Sequence, residues 1–305
     1  MLGGIYMYKK LIFSVLTASL ILSGTSASVW AQEEAGSLPR SLEEVEDSTI
    51  LNMEDLLEKV EAAGCNTIEH YGDGSVYSWY CYYSEDTCVM ENSEGYIEML
   101  SKDINCVYDP GTDTPSRLLF LSEEGKEEYK NGMYDYSSYM FDGEDMVSIT
   151  EEAEGIRLVT QLDDASAADY LDSMGYEYQE GDIVQWNYEI NPEIRAIVSA
   201  NAVCISEDGT ETTIFERTLN LEPEKYALSS EILDRLNAEE SRTVTVVVNP
   251  GTEQEYSVSE TVGKGCSVST YTGDAVLYTD ESCTEEYIPT GDTENDLTLY
   301  TTIEE

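Results

Sequence analysis

Residues 75–89, SVYSWYCYYSEDTCV, constrain the fold of this chain more than any other stretch. Read as an antiparallel hairpin, its first arm points Tyr77, Trp79, Cys81 and Tyr83 one way and Val76, Ser78, Tyr80 and Tyr82 the other. A strand with one face in water alternates apolar with charged residues, whereas this one carries bulky rings on both faces. Both sides therefore need cover: a helix or second layer on one, a cavity or ligand on the other. Ser84-Glu85-Asp86 supplies the turn.

The flanking chain predicts what that cover is. Asn52 is placed to cap a helix whose stripe is Leu56, Leu57 and Val60, with Gly64 as its stop. So short a helix needs a sheet to lie on. Alternating segments at 95–100, 104–108, 117–121, 146–150, 156–162, 182–190, 194–205 and 210–221 read as strands, with a Tyr-rich segment at 129–139. Glu207-Asp208-Gly209 is a strong hairpin signal between the last two. Residues 164–174 read as a helix capped by Asp163 or Asp164 and closed by Gly175, and 230–236 as a brief helix capped by Ser229. Closely spaced consecutive strands argue an antiparallel meander rather than βαβ units. The fold class expected is mainly β (α+β): an antiparallel half-barrel meander with short covering helices over 52–241, then a small β-grasp-like module over 242–305.

The N-terminal stretch reads as an address. Lys9-Lys10, the apolar run 11–22 and the small-x-small site Val29-Trp30-Ala31 match an export signal over residues 1–31, with Met7 as the true start. Residues 32–51 then form an acidic, flexible lead-in. Leu22-Ser23-Gly24 resembles a lipoprotein attachment box, but Thr25 stands where the lipidated cysteine would be. Free secretion without a stable membrane anchor is the expectation. The formal net charge is −48, and removing 1–31 takes away two lysines and no acid. Such a surface repels nucleic acid and anionic lipid headgroups, which excludes both as partners. No Asp-rich calcium loop is present, and the acids at 291–296 read as a turn.

Seven cysteines in an exported chain imply disulfides with one thiol left over. Counting outward from a Ser84-Glu85 turn sets Cys81 opposite Cys88, a register that depends on which two residues make the turn. Cys266 and Cys283 flank a turn in the thin C-terminal module, where a staple would help most. Cys65–Cys106 is a third candidate pair, and Cys204 on an apolar strand face is the expected odd thiol.

DLLEKVEAAG and DGSVYSWYCYY, with the helix–meander–helix order of 52–225, resemble the LolA/LppX-like half-barrels of the lipoprotein-carrier superfamily. That resemblance implies an unclosed barrel holding acyl chains under helical lids. Lacking an anchor cysteine, the chain would fit a shuttle between surfaces better than a tethered receiver. LYTDESCTEEY (277–287) followed by DLTLYTTI (296–303) is similar to internalin-type B-repeat modules, which occur in surface proteins and carry no chemistry of their own.

Catalysis is poorly provisioned. His70, the one histidine, sits in IEHYGDG ahead of a turn with no nucleophile motif nearby. CYYSEDTC has hairpin rather than zinc-knuckle spacing, and no cofactor is expected. A non-enzymatic binding protein for an apolar small molecule or lipid is the better class. Its candidate ligand-binding residues are Tyr77, Trp79, Tyr83, Trp186 and Tyr188, which either line a cavity or fill the core between sheet and helices. The alternative is an extracellular interaction protein in which Tyr134, Tyr136 and Tyr139 grip a cell-surface glycan or protein.

Overall fold

A computed structural model describes residues 38–50, 52–112, 114–134, 141, 143–152, 155–271, 276–288 and 295–303. The proposed signal 1–31 lies outside them. The chain forms two compact units. One runs up to Glu85 and resumes at Gly132–Pro223; the other joins Asp86–Asn131 to the chain from Glu224 onward. The architecture is mainly β with open sheets, and among the described residues no barrel closes.

The first unit holds seven strands: β1 (Ala62–His70), β2 (Val76–Ser84), β7 (Glu144–Glu152), β8 (Gly155–Leu162), β9 (Ile183–Asn191), β10 (Ala196–Ile205) and β11 (Glu211–Asn220). Their order is β2-β1-β11-β10-β9-β8-β7, every neighbour antiparallel. Gly209 at φ +83° makes the β10–β11 turn, as Glu207-Asp208-Gly209 predicts. Helix α1 (Leu42–Ser48) lies where a flexible lead-in was expected. Ser41 caps it, its hydroxyl accepting the Glu44 N–H at 3.2 Å, and Val45 is buried in the core.

Asn52 caps α2 (Met53–Leu57) as expected, its side-chain oxygen accepting from the Glu54 N–H at 2.7 Å. That helix stops short of Gly64, which instead lies inside β1. Gly64 is needed there, since a Cβ would stand 2.7 Å from the Tyr80 hydroxyl. The central strand β1 replaces the expected helix end and loop, and His70 is its last residue. Helix α4 (Asp164–Ser173) forms where predicted, and Asp163 caps it by accepting the Ser166 N–H at 2.8 Å. It buries Ala167 and Leu171 and ends at Gly175, φ +73°, while the Tyr176 N–H returns to the Leu171 carbonyl at 2.9 Å.

In the second unit, β3 (Thr87–Asn92), β4 (Ile97–Ser101), β5 (Cys106–Asp109) and β6 (Thr114–Phe120) run antiparallel in chain order, and β14 (Ser267–Tyr271) adds to β6 in parallel. A separate sheet has the order β13 (Tyr256–Gly263), β12 (Ser241–Val248), β15 (Leu297–Thr301). The C-terminal 242–305 stretch therefore does not keep its strands to itself. Three strands bury little, and β14 gains by pairing with β6, where Val268 is fully buried and Ser267 meets Ser116 Oγ to Oγ at 2.6 Å. The brief helix at 230–236 is present as α5 (Ser230–Leu236), capped by Ser229.

Helix α3 (Glu123–Tyr134) takes in the first part of the Tyr-rich segment at 129–139, the rest of which lies outside the described residues. Ser122 starts it, accepting the Gly125 N–H at 3.0 Å. Among the described residues no helix is long and apolar enough to cross a membrane.

The seven cysteines are thiols, and the expected bridges are absent. The β2 turn falls on Glu85 and Asp86, one residue later than the counting assumed. Cys81 stands opposite Cys65, and Cys88 opposite Leu100. Cys106 opposes Met99 and Arg117 rather than Cys65. In the tail, Cys266 turns inward to the Gly263 carbonyl at 3.1 Å, while Cys283 sits in a loop at φ +52° whose carboxylate Asp280 organises the backbone around it. Cys204 is buried on its apolar strand face, but as one thiol of seven it is not singled out as the odd one.

Candidate ligand-binding face

The strand registers divide the seven-stranded sheet into two faces of opposite character. One row across it reads Thr160, Trp186, Ala202, Phe215, Glu69, Tyr77, and the next parallel row reads Leu158, Tyr188, Ala200, Arg217, Thr67, Trp79. The interleaved row on the other face is Val159, Asn187, Asn201, Glu216, Ile68, Ser78. Its neighbour is Arg157, Glu189, Ser199, Thr218, Asn66, Tyr80. Period-two alternation thus sends the polar set to solvent and the apolar set under the helices. His70 belongs to the polar face, where Nε2 lies 3.0 Å from the Glu216 carboxylate.

The β8–β10 end of the covered face is packed solid. Trp186 and Tyr188 are 2 % and 0 % exposed, with rings stacked at 5.7 Å and an interplanar angle of 3°. Phe141 closes on Tyr188 at 5.0 Å, Tyr170 of α4 on Trp186 at 5.8 Å, and Phe215 on Trp186 at 5.1 Å. Each such pair adds about 0.5–1.5 kcal/mol beyond area burial. Tyr83 is also buried, against the Tyr134 ring at 5.7 Å.

Tyr77 and Trp79 differ: they are only half-buried, with ring centroids 5.8 Å apart. Trp186 and Tyr77 share one row but stand four strands apart, roughly 19 Å at about 4.8 Å per strand. The five predicted residues therefore lie on one face without meeting around one cavity. Tyr134, a candidate for surface stacking, is buried, while Tyr136 and Tyr139 lie outside the described residues.

Between the packed end and the half-open rings sits a polar group that pattern reading passed over. Arg217 is 8 % exposed; its Nε donates to Thr67 Oγ1 at 3.2 Å, and its guanidinium lies 5.3 Å from the Phe215 ring centroid. Glu69 is buried beside it and accepts from the Tyr71 hydroxyl at 2.7 Å. Burial pushes the Glu69 carboxyl above its ordinary range, opposed by the Tyr71 bond and the Arg217 charge. The available signal was the period-two set Phe215, Arg217, Leu219, which places an arginine on an otherwise apolar face.

A second buried carboxylate holds the packed end. Glu144 accepts from the Tyr188 hydroxyl at 2.7 Å, from the Phe141 N–H at 3.1 Å and from the Thr160 hydroxyl. Burial pushes its carboxyl up, those three bonds oppose the shift, and the nearby Glu46 adds to it. The bond to Glu144 also holds Phe141 in the left-handed region, φ 71°.

The covered face also carries a small cavity of about 70 Å³ under α1, lined by Val45, Ile149, Ile156, Ile190, Pro192 and Arg195. Ligand pockets run roughly 300–1,000 Å³, so this space cannot take an acyl chain as it stands.

No family model matches the chain, and no curated protein matches it. The B-repeat likeness of the C-terminal stretch is thus unsupported, and its strands do not form a self-contained module. Among solved structures, the crystal structure of a LolA superfamily protein from Nitrosomonas europaea aligns at 11 % identity, over 58 % of this chain and 96 % of that one, with a TM-score of 0.20. A score so low carries no argument about fold or function.

Proposed function

We propose that this protein is a secreted, non-enzymatic binding protein that takes an apolar ligand such as a lipid acyl chain on the covered face of its seven-stranded sheet, at the β1–β2 end. The observation that carries this reading is the half-burial of Tyr77 and Trp79 on a face whose other large rings are packed. Open aromatic surface beside a buried apolar face is a contact surface, since exposing it costs hydration free energy that a ligand recovers. Export rests on Lys9-Lys10, the apolar run 11–22 and the Val29-Trp30-Ala31 site. The non-enzymatic reading rests on the placement of His70 on the solvent-facing side, paired with Glu216.

The 70 Å³ cavity under α1 lies on the β7–β9 side of the face, away from Tyr77 and Trp79, and is smaller than an acyl chain needs. An acyl chain enters that cavity only by lifting α1. Apolar cover gained by the ligand must then offset what the helix loses.

The test is fluorescence of the chain lacking residues 1–31 in the Trp186→Phe background, which leaves Trp79 as the reporter. Titration with palmitate and with lysophosphatidylcholine below micellar concentrations is expected to shift Trp79 emission to the blue. An unchanged spectrum with both lipids would overturn the reading.

A further inference from the structure

The antiparallel register of β1 and β2 sets Cys65 directly opposite Cys81. Both thiols lie on the covered face, 4 % and 8 % exposed. Elsewhere, Cys88 opposes Leu100 on β4, Cys106 opposes Met99 and Arg117, and Cys204 opposes Val184 and Thr212. Opposed residues in an antiparallel pair hold their Cα atoms about 4.5–5.5 Å apart. That lies within the roughly 4.4–6.8 Å a disulfide spans.

We propose that Cys65 and Cys81 are an oxidisable pair that closes as a cross-strand disulfide when the chain folds in an oxidising compartment. The structure shows the dithiol form. Oxidation needs a disulfide as electron acceptor. One cysteine thiolate attacks it, forming a mixed disulfide and releasing one acceptor thiol; the second thiolate then displaces the other acceptor thiol. The pair loses two electrons and two protons, and the acceptor ends as two thiols.

Burial also dictates when this happens. It pushes the Cys65 thiol up, against the Arg217 charge and the Thr67 hydroxyl, so folded Cys65 holds little thiolate, and both buried thiols are shielded from an acceptor. Closure belongs to folding, before β1 is covered, and the bridge once made is protected from reduction. It would tie the central strand β1 to the aromatic strand β2 two residue pairs from the Thr67–Trp79 row. The proposal is independent of any ligand.

The test is a peptide map of the chain refolded from denaturant in a buffer of reduced and oxidised glutathione. Denatured protein is alkylated with iodoacetamide without reduction and cleaved after glutamate, which separates 62–69 (Cys65), 70–85 (Cys81) and 86–91 (Cys88). The expected product is 62–69 linked to 70–85, with a mass two hydrogens below the sum of the two. Refolding without the oxidised form should give both peptides alkylated. Alkylated Cys65 and Cys81 after oxidative refolding, or a 70–85 peptide linked to 86–91 instead, would overturn the proposal.

Discussion

Replacing Tyr188 by Phe removes one hydroxyl from a fully buried, ring-stacked position and leaves the packing otherwise unchanged. That hydroxyl donates to Glu144 Oε1 at 2.7 Å. A hydrogen bond to a charged group contributes about 1.5–3 kcal/mol. The Phe141 N–H stays on Oε1 and the Thr160 hydroxyl on Oε2, so the carboxylate is not orphaned. The cost therefore falls in the lower half of that range, about 1.5–2 kcal/mol at pH 7.

The pH dependence has a definite sign. Burial raises the folded-state affinity of Glu144 for its proton above the ordinary carboxyl value of 4.5, so the stability it contributes is fully present at low pH and is lost as pH rises from that value. Removing the Tyr188 bond, one of those that hold the carboxyl down, raises the folded value further. The variant then loses more than the parent over the same window. Urea unfolding at pH 5 and pH 7 measures both midpoints. The expected result is a penalty clearly larger at pH 7 than at pH 5. A penalty below about 0.5 kcal/mol at pH 7, or one equal at both pH values, would refute the reasoning, because a bond to a charged group would then be absent.

Trp186→Ala should cost about 3–5 kcal/mol in the same assay, as loss of a core aromatic does. The half-buried Trp79→Ala should cost about 1 kcal/mol, the typical point-mutant penalty. Near-equal costs would contradict the division of the face into packed and open ends. In Gly72→Ala the new Cβ would lie 2.0 Å from the Gly175 carbonyl oxygen, while the Gly72 N–H donates to the Met174 carbonyl at 3.0 Å. A loss of about 1–3 kcal/mol is expected from this backbone clash, and an unchanged melting temperature would contradict the close approach. At a net charge of −48, melting temperature should rise from low to moderate ionic strength as repulsion is screened. A flat or falling trend would mean that the carboxylates are already compensated.

Some of this was open to reading from residue order. The rings of 76–84 alternate between the two faces of β2, Asp163 and Gly175 bound α4, and Glu207-Asp208-Gly209 turns β10 into β11. The misreadings have specific causes. DLLEKVEAAG reads helical to its glycine, yet β1 begins at Ala62, because a place between β2 and β11 outweighs local helix preference. The α1 signal, Ser41 followed three residues later by Glu44, was present but hidden in acidic composition. A one-residue shift in the β2 turn removed the Cys81–Cys88 opposition. The partner of Cys81 lies on β1, within a stretch whose local pattern is helical. Arg217 and Glu69 escaped for the same reason: their meeting depends on the β1–β11 register, which joins residues about 150 apart in sequence and which no local pattern specifies.

The central claim, an apolar ligand at the open end of the covered face, is tested most directly by native mass spectrometry. The chain lacking residues 1–31 would be incubated with palmitate and compared with its Trp79→Ala variant. The account predicts a single palmitate adduct on the parent and its loss or sharp reduction in the variant. The apo mass alone across a palmitate series, or equal adducts on both proteins, would contradict it.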